Sequence, residues 1–301
     1  MSIQDTPKIS IITCFLNVEE YIQETIESVL KQEYGIWELL LIDDGSTDKS
    51  TDIAKKFADE YPGKIIYCEH KNHINRGSSA SRNVGIKKAS GTLIAFLDAD
   101  DVWLPGMLSH ILKLMRQHPV SMVCEATEYW YNWNDTAKQN KIVQIGAPQD
   151  RVYVPPELIL TIYPLADGSP AAPCLCGMLI TKESVVRHGA FDESFSGMYD
   201  DQAFLIKFYL HESVYISSTC DNKYRQRPGS LVHSSHGQSN YLKERKYFLK
   251  WLKNYLQQNN INYVEVNFLL QKELLSYKPV TYFLKYTLPQ KIKRVWRKRF
   301  N

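Results

Sequence analysis

The sequence predicts an α/β protein built on a doubly wound, mostly parallel sheet. Almost unbroken apolar runs alternate with stretches of helical period through the first half of the chain. Several of those runs end in turns rich in aspartate. At 301 residues and 44% hydrophobic composition, the chain can also bury a sheet on both of its faces. Strand–helix alternation implies parallel strands joined by crossovers, and runs lacking polar alternation are strands covered on both sides.

KISIITC, residues 8–14, is the first strand. Asn17 is placed to cap the following helix, with Glu20 three positions on in a capping-box arrangement. Ile22, Ile26, Val29 and Leu30 then recur at helical spacing. ELLLID is the second strand and ends in the turn residues Asp43, Asp44, Gly45 and Ser46. Ile53, Ala54, Phe57 and Tyr61 mark a helix that Pro62-Gly63 stops. KIIYCEH is a third strand, residues 79–89 a third helix and TLIAFLDA a fourth strand. Pro105 stands near the start of the next helix, where proline is tolerated. SMVCEATEYWY reads as one fifth strand, and residues 134–173, with prolines at 148, 155, 156, 164, 170 and 173, as a loop-rich excursion suited to an acceptor site. CGMLIT is a strand, a short helix and an acidic stretch near 200 follow, and the pattern is helical from about 238.

Composition excludes several classes. A net charge of +3 gives no reason to expect a nucleic-acid partner. The six cysteines, at 14, 68, 124, 174, 176 and 220, lack C-x-x-C metal spacing and read as buried reduced thiols, which suits a cytoplasmic protein. MSIQDTPK has no signal-peptide order, and ISIITCFL is too short to span a bilayer. The turn after the first strand, CFLNVEE, has no glycine, which argues against a dinucleotide fold, and no G-x-x-x-x-G-K-[ST] loop is present.

The chemistry is carried by aspartates. In FLDADDVWLP, Asp98, Asp100 and Asp101 crowd the end of a buried strand, where hard oxygen ligands suit Mg2+ or Mn2+; a solvated acidic turn at a helix start is the simpler alternative. LLLIDDGSTD sets Asp43 and Asp44 at another strand end, where a carboxylate can accept a bond from a nucleobase imide or a ribose hydroxyl. Asp200 and Asp201 form a third cluster, which a helix-capping role would also explain.

The ordered set ISIITCFLNVEEYIQETIESVL, LLLIDDGSTD, NRGSSASRNVGIKKASG, FLDADD and GMYDDQAFLIKFYL resembles family 2 glycosyltransferases of the GT-A fold, over about residues 7–232. The resemblance implies that Asp44 holds the nucleoside with Glu19, Asp43 and the Thr13–Phe15 backbone, and that Arg82 faces the diphosphate. It implies a D-x-D site at Asp98 and Asp100, Asp100 being the direct metal ligand, with Mn2+ or Mg2+ as cofactor. Asp200 and Asp201 match the family's Glu-Asp pair, whose second member is the catalytic base; here Asp replaces Glu at the first position. YRQRPGSLVHSSHGQ resembles the segment that closes over the donor, making Arg225 and Arg227 candidates for diphosphate contact and His233 a candidate third metal ligand. The implied reaction is inverting transfer from a nucleotide-sugar, a UDP-sugar, to a hydroxyl of a carbohydrate or lipid-linked acceptor in surface polysaccharide, lipopolysaccharide or glycolipid synthesis. A sugar-nucleotide pyrophosphorylase needs a glycine-rich basic first loop that CFLNVEE is not, and a non-catalytic membrane-associated scaffold would have lost an acidic cluster.

The expected organisation is a GT-A domain over 1–232, with a nucleotide-sugar half at about 1–131 and an acceptor half at about 132–232, then a basic helical extension over 233–301. In LPQKIKRVWRKRF, Ile292, Val295, Trp296 and Phe300 at helical spacing oppose a basic face. Such a helix suits an anionic membrane surface, so the expected location is cytoplasmic with peripheral contact at the inner face of the cell membrane; a solvated tail is the alternative.

Overall fold

A computed structural model describes residues 6–287, apart from 167, 169, 196 and 228–237. The first half alternates as its apolar runs predict: β1 (Ile9–Phe15), α1 (Ile22–Leu30), β2 (Trp37–Asp43), α2 (Ser50–Glu60), β3 (Ile65–Glu69), α3 (Ser78–Lys88), β4 (Leu93–Phe96), β5 (Val102–Trp103) and α4 (Met107–Gln117). There follow β6 (Met122–Cys124), β7 (Thr127–Trp130), β8 (Lys141–Val143), β9 (Arg151–Tyr153), α5 (Glu157–Thr161), β10 (Met178–Thr181), α6 (Lys182–His188), α7 (Asp200–His211), β11 (Val214–Ile216) and β12 (Asn222–Arg225). Two long helices, α8 (Gln238–Gln258) and α9 (Val264–Ser276), come last among the longer elements.

Eight strands form the main sheet in the order β3-β2-β1-β4-β10-β6-β11-β9. β1, β2, β3 and β4 are mutually parallel, whereas β10 runs antiparallel to both β4 and β6. Alternate side chains of β1 go to opposite layers: Ile12 joins Ile86 of α3 and Phe204 and Phe208 of α7, and Ile9 and Ile11 join Ile22 and Ile26 of α1 and Leu108 of α4. Helices therefore cover both faces, as a doubly wound sheet requires.

Register brings the acidic turns to one edge. Phe15 pairs with Asp43 between β1 and β2, and Ile12 pairs with Phe96 between β1 and β4. The carboxyl ends of three parallel strands thus deliver Thr13–Phe15, Asp43–Asp44 and Asp98 side by side. Ligands of such sheets bind beyond these ends.

Three local expectations need correction. SMVCEATEYWY is two strands: β6 stays in the main sheet, while β7 enters a second sheet of order β5-β12-β7-β8. The break falls at Glu125, a buried carboxylate that accepts bonds from Asp221 N and Asn222 Nδ2 on Oε1 and from Thr219 Oγ1 on Oε2. Asn17 does not cap α1, which starts five residues later with no side-chain cap. It adopts φ 52°, and its Oδ1 accepts from Thr47 N and Asp48 N, closing the loop after β2 instead. The proline-rich excursion also contains β8, β9 and α5.

The C-terminal helices are packed rather than appended. Phe248, Leu249, Leu252 and Leu256 of α8 are buried in the same cluster as Phe204 and Phe208, together with Val266 and Leu270 of α9. No helix among the described residues is long and apolar enough to cross a membrane.

Candidate active site

The loop after β2 consumes its own acids. Gly45 at φ +86° lets the chain turn, and a Cβ there would lie 2.8 Å from Asn75 N. Asp43 accepts from Ser46 N at 2.8 Å on Oδ1, and from Thr51 Oγ1 and Tyr67 Oη on Oδ2. Asp44 accepts from Arg76 N and Ser81 Oγ on Oδ1 and from Gly77 N on Oδ2. Both side chains are buried and lock the loop before α3 in place. Glu19, exposed, accepts from Lys49 N at 2.8 Å. At the end of β1, Phe15 is buried, and the fully buried Thr13 hydroxyl has no hydrogen-bond partner.

Arg82 of α3 is the hub. It is nearly buried, donates from Nη2 to Asp98 Oδ1 at 3.0 Å and from Nη1 to Asp200 Oδ2 at 2.8 Å, and lies over the Phe191 ring. Burial opposes its charge, but Asp98 and Asp200 hold the guanidinium firmly protonated. Ser78 Oγ adds a 2.7 Å bond to the same oxygen of Asp200. Residues 118 positions apart in sequence thereby meet across the cleft.

Asp201 is bonded differently. Among the described residues its carboxylate accepts only from its neighbour Gln202, through N at 2.7 Å and Nε2 at 3.3 Å. Burial, with the Asp200 charge adding, pushes it up to about 6. A carboxylate so poised is suited to take a proton near neutral pH. Tyr199, immediately before the pair, holds a left-handed φ of 70°, a conformation costing on the order of 1–3 kcal/mol for a non-glycine residue. Its ring stacks on Phe248 of α8 at 5.0 Å, so α8 braces the segment that aims both acids.

The turn after β4 gathers negative charge. Asp100 is raised by burial and by Asp98, and its Oδ2 takes a 2.7 Å bond from Arg227 Nε. Asp101 is fully buried and pushed well up by burial and by Asp100 and Asp98; its Oδ1 accepts from Arg225 N, and its Oδ2 has no partner among the described residues. Arg225 is buried against Tyr21, Trp130 and Trp133, donates to Asp100 O at 2.6 Å and pairs with Glu24 at 2.5 Å. Arg225 is thus committed to shaping the acidic turn, whereas Arg227 meets one carboxylate at its rim. His233 lies outside the described residues, as does the basic segment 288–301.

This turn suits a divalent cation: Asp98 and Asp100 supply hard carboxylate oxygens two residues apart, and burial, with the Asp98 charge adding, disfavours the Asp100 charge. Among the described residues no group of three or more His, Cys, Asp or Glu could hold a metal ion; an ion on Asp98 and Asp100 would need its remaining ligands from water and substrate phosphates.

Sequence reasoning missed Ser78 and Tyr199 and the cage around Arg225. In a strand Arg225 and Arg227, two positions apart, would share one face, so nothing in YRQR signals that only the first is caged.

A GT-A-type sheet with carboxylates from two strand ends and from the start of α7, and an arginine between them, defines the class of the fold and of its cleft. The profile of the family described as Glycosyl transferase family 2 matches residues 10–188, and the chain belongs to that family. It is 33% identical over 149 residues to the putative teichuronic acid biosynthesis glycosyltransferase TuaG of Bacillus subtilis (strain 168), a match covering 49% of this chain and 56% of that protein. It is 34% identical over 146 residues to the UDP-Glc:alpha-D-GlcNAc-diphosphoundecaprenol beta-1,3-glucosyltransferase WfgD of Escherichia coli, covering 48% and 53%. The matches thus span about half the length of these relatives, and 14% of the minor teichoic acid biosynthesis protein GgaB of Bacillus subtilis (strain 168), which is 35% identical over 133 residues, 44% of this chain. Among solved structures, Staphylococcus aureus TarS 1–349 in complex with UDP-GlcNAc superposes with TM-score 0.64 at 19% identity, covering 94% of this chain and 77% of that one. The mannosyltransferase PcManGT of Pyrobaculum calidifontis, in complex with GDP-Man and Mn2+, gives 0.54 at 15%, covering 90% and 70%. These two likenesses establish the shared fold.

Proposed function

We propose that this chain is an inverting glycosyltransferase that moves a sugar from a nucleotide-sugar, a UDP-sugar, to an acceptor hydroxyl. The observation that carries the reading is the bridge of Arg82 between Asp98 and Asp200, with the loosely bonded Asp201 beside it. A positive group stands between two carboxylates at the binding edge, and a proton acceptor stands next to them.

In this reading Thr13–Phe15, Glu19, Asp43 and Asp44 border the nucleoside end of the cleft. The locked loop carrying Asp43 and Asp44 supplies shape, and the backbone of Thr13–Phe15 runs beside it at the end of β1. Arg82 faces the diphosphate. Asp98 and Asp100 hold Mn2+ or Mg2+, which supplies Lewis-acid stabilisation of the diphosphate. Asp201 takes the proton of the acceptor hydroxyl as its oxygen bonds to the anomeric carbon; the bond to the diphosphate oxygen breaks, and its electron pair leaves with the nucleotide. Asp200, tied to Arg82 and Ser78, orients that base. The donor half is assigned to residues 1–131 and the acceptor half to 132–232.

A role in surface polysaccharide, lipopolysaccharide or glycolipid synthesis is supported by the likeness to the teichuronic acid biosynthesis glycosyltransferase TuaG and the diphosphoundecaprenol-linked glucosyltransferase WfgD. Peripheral contact with an anionic membrane, on the cytoplasmic side, is assigned to the basic segment after residue 287; the exposed Val264 and Phe268 of α9 precede it in the chain.

The test is a panel of UDP-sugars and GDP-mannose, incubated with and without Mn2+ while nucleoside diphosphate release is followed. Metal-dependent release from one UDP-sugar, abolished in Asp201→Asn, is expected. Release by no donor, or undiminished release by the variant, overturns the proposal.

A further inference from the structure

Away from the acidic edge, a cavity of about 270 Å³ opens between α7 and α8, lined by Asp192, Lys207, Trp251, Asn254, Tyr255 and Gln258. Lys207 lies six residues after Asp201 on α7, about 9 Å along the helix axis. It is only 7% exposed, and among the described residues its one hydrogen bond runs to Ala190 O at 2.5 Å. An ammonium carries three donors, so two remain at a cavity wall. Burial lowers Lys207 and the Asp192 charge opposes that; burial likewise works against the Asp192 charge, but bonds from Ser194 and Trp251 and the nearby Lys207 hold it low.

The other walls are complementary. Asp192 accepts from Trp251 Nε1 at 2.7 Å. Trp251 and Tyr255 stack at 5.4 Å as one apolar wall, and Asn254 and Gln258, exposed one turn apart, carry amides that both donate and accept. Lysine and aspartate cancel, so the cavity favours no net charge. One face of α8 thus sets this aromatic surface beside the uncharged donors and acceptors of Asn254 and Gln258, which matches a pyranose ring, with its apolar C–H face and its rim of hydroxyls. The volume sits just below the roughly 300–1,000 Å³ of small-molecule sites, which suits one ring and is too small for a nucleotide.

We infer that this cavity is a saccharide subsite, holding one neutral sugar unit of the acceptor chain remote from the hydroxyl that reacts. The inference rests on the glycosyltransferase reading for the word acceptor, but not for the binding itself. Contacts of this kind, far from the reacting centre, supply binding energy that helps position the acceptor end.

Ligand-observed saturation-transfer NMR on the full chain tests it, using cellotetraose, chitotetraose and maltotetraose as neutral probes and glucuronate as the anionic one. Saturation transfer to at least one neutral oligosaccharide is expected, unchanged in Asp201→Asn. Asn254→Ala combined with Gln258→Ala, both exposed positions that leave the core intact, should weaken that binding at least tenfold. No transfer to any neutral probe at about 10 mM, the weak end of measurable affinity, overturns the inference; so does equal binding by the double variant, or binding of glucuronate alone. Because Asp201→Asn is read for binding, loss of the catalytic proposal leaves this result standing, and the reverse.

Discussion

Replacing Asp201 by Asn should make the protein more stable and inactive at once. In the folded chain burial raises Asp201 to about 6, against 3.8 for the free side chain. A raised carboxylate means that the native state binds more protons than the unfolded state between these two values. Stability therefore falls as pH rises through that window, and the full penalty applies above about 6. A shift of about two units corresponds to roughly 3 kcal/mol; partial exposure and the coupling to Asp200 reduce the expected gain to about 1–3 kcal/mol. Asn keeps an acceptor oxygen for Gln202 N and removes the charge. Urea unfolding of the two proteins should show Asp201→Asn ahead at pH 8 and the advantage gone near pH 4. Removal of a general base typically costs 10²–10⁴-fold in rate, and wild-type transfer should fall about tenfold per pH unit below about 6. A variant no more stable at pH 8, or one transferring sugar at the wild-type rate, refutes the assignment.

Thr13→Val removes a buried hydroxyl that has no partner among the described residues, so the protein should gain about 1 kcal/mol in urea melts, and an unchanged or lowered stability means that the hydroxyl is satisfied. Glu38, buried in β2, is lowered to about 2: burial pulls it up, but bonds from Lys8, Ser10 and Ser90 prevail. That stability is present above the unfolded value of 4.5 and lost as pH falls through about 2, so Glu38→Gln should cost about 2–3 kcal/mol at pH 7 in urea melts, the difference closing in acid. Arg227→Ala frees the Asp100 carboxylate and should tighten binding of Mn2+ alone about tenfold by calorimetry, with no change if Asp100 is not a ligand.

The first part of the chain was readable because β1, β2 and β4 are buried on both faces, which leaves continuous apolar runs between helices of clear period. SMVCEATEYWY misled because the one polar residue at its break, Glu125, is buried and bonded to partners some 95 residues downstream; composition cannot distinguish such a pivot from a strand residue. Asn17 carries a local capping signature that a loop 30 residues later satisfies instead. The acids of the site were visible as clusters at strand ends, but not how each spends its lone pairs. Asp43 and Asp44 are locked into their own loop, Asp200 is tied to Arg82, and among the described residues Asp201 is left with only its helix neighbour. That division depends on long-range contacts, among them the Phe248–Tyr199 stack through which α8 braces the acids.

The most direct measurement is a crystal structure of the protein soaked with UDP and Mn2+, with data collected at the manganese edge. The account predicts an anomalous peak held by Asp98 and Asp100, the diphosphate between it and Arg82, and the uracil ring beside Thr13 and the loop of Asp43 and Asp44. Nucleotide seated away from that strand edge, or manganese bound without either aspartate, contradicts it.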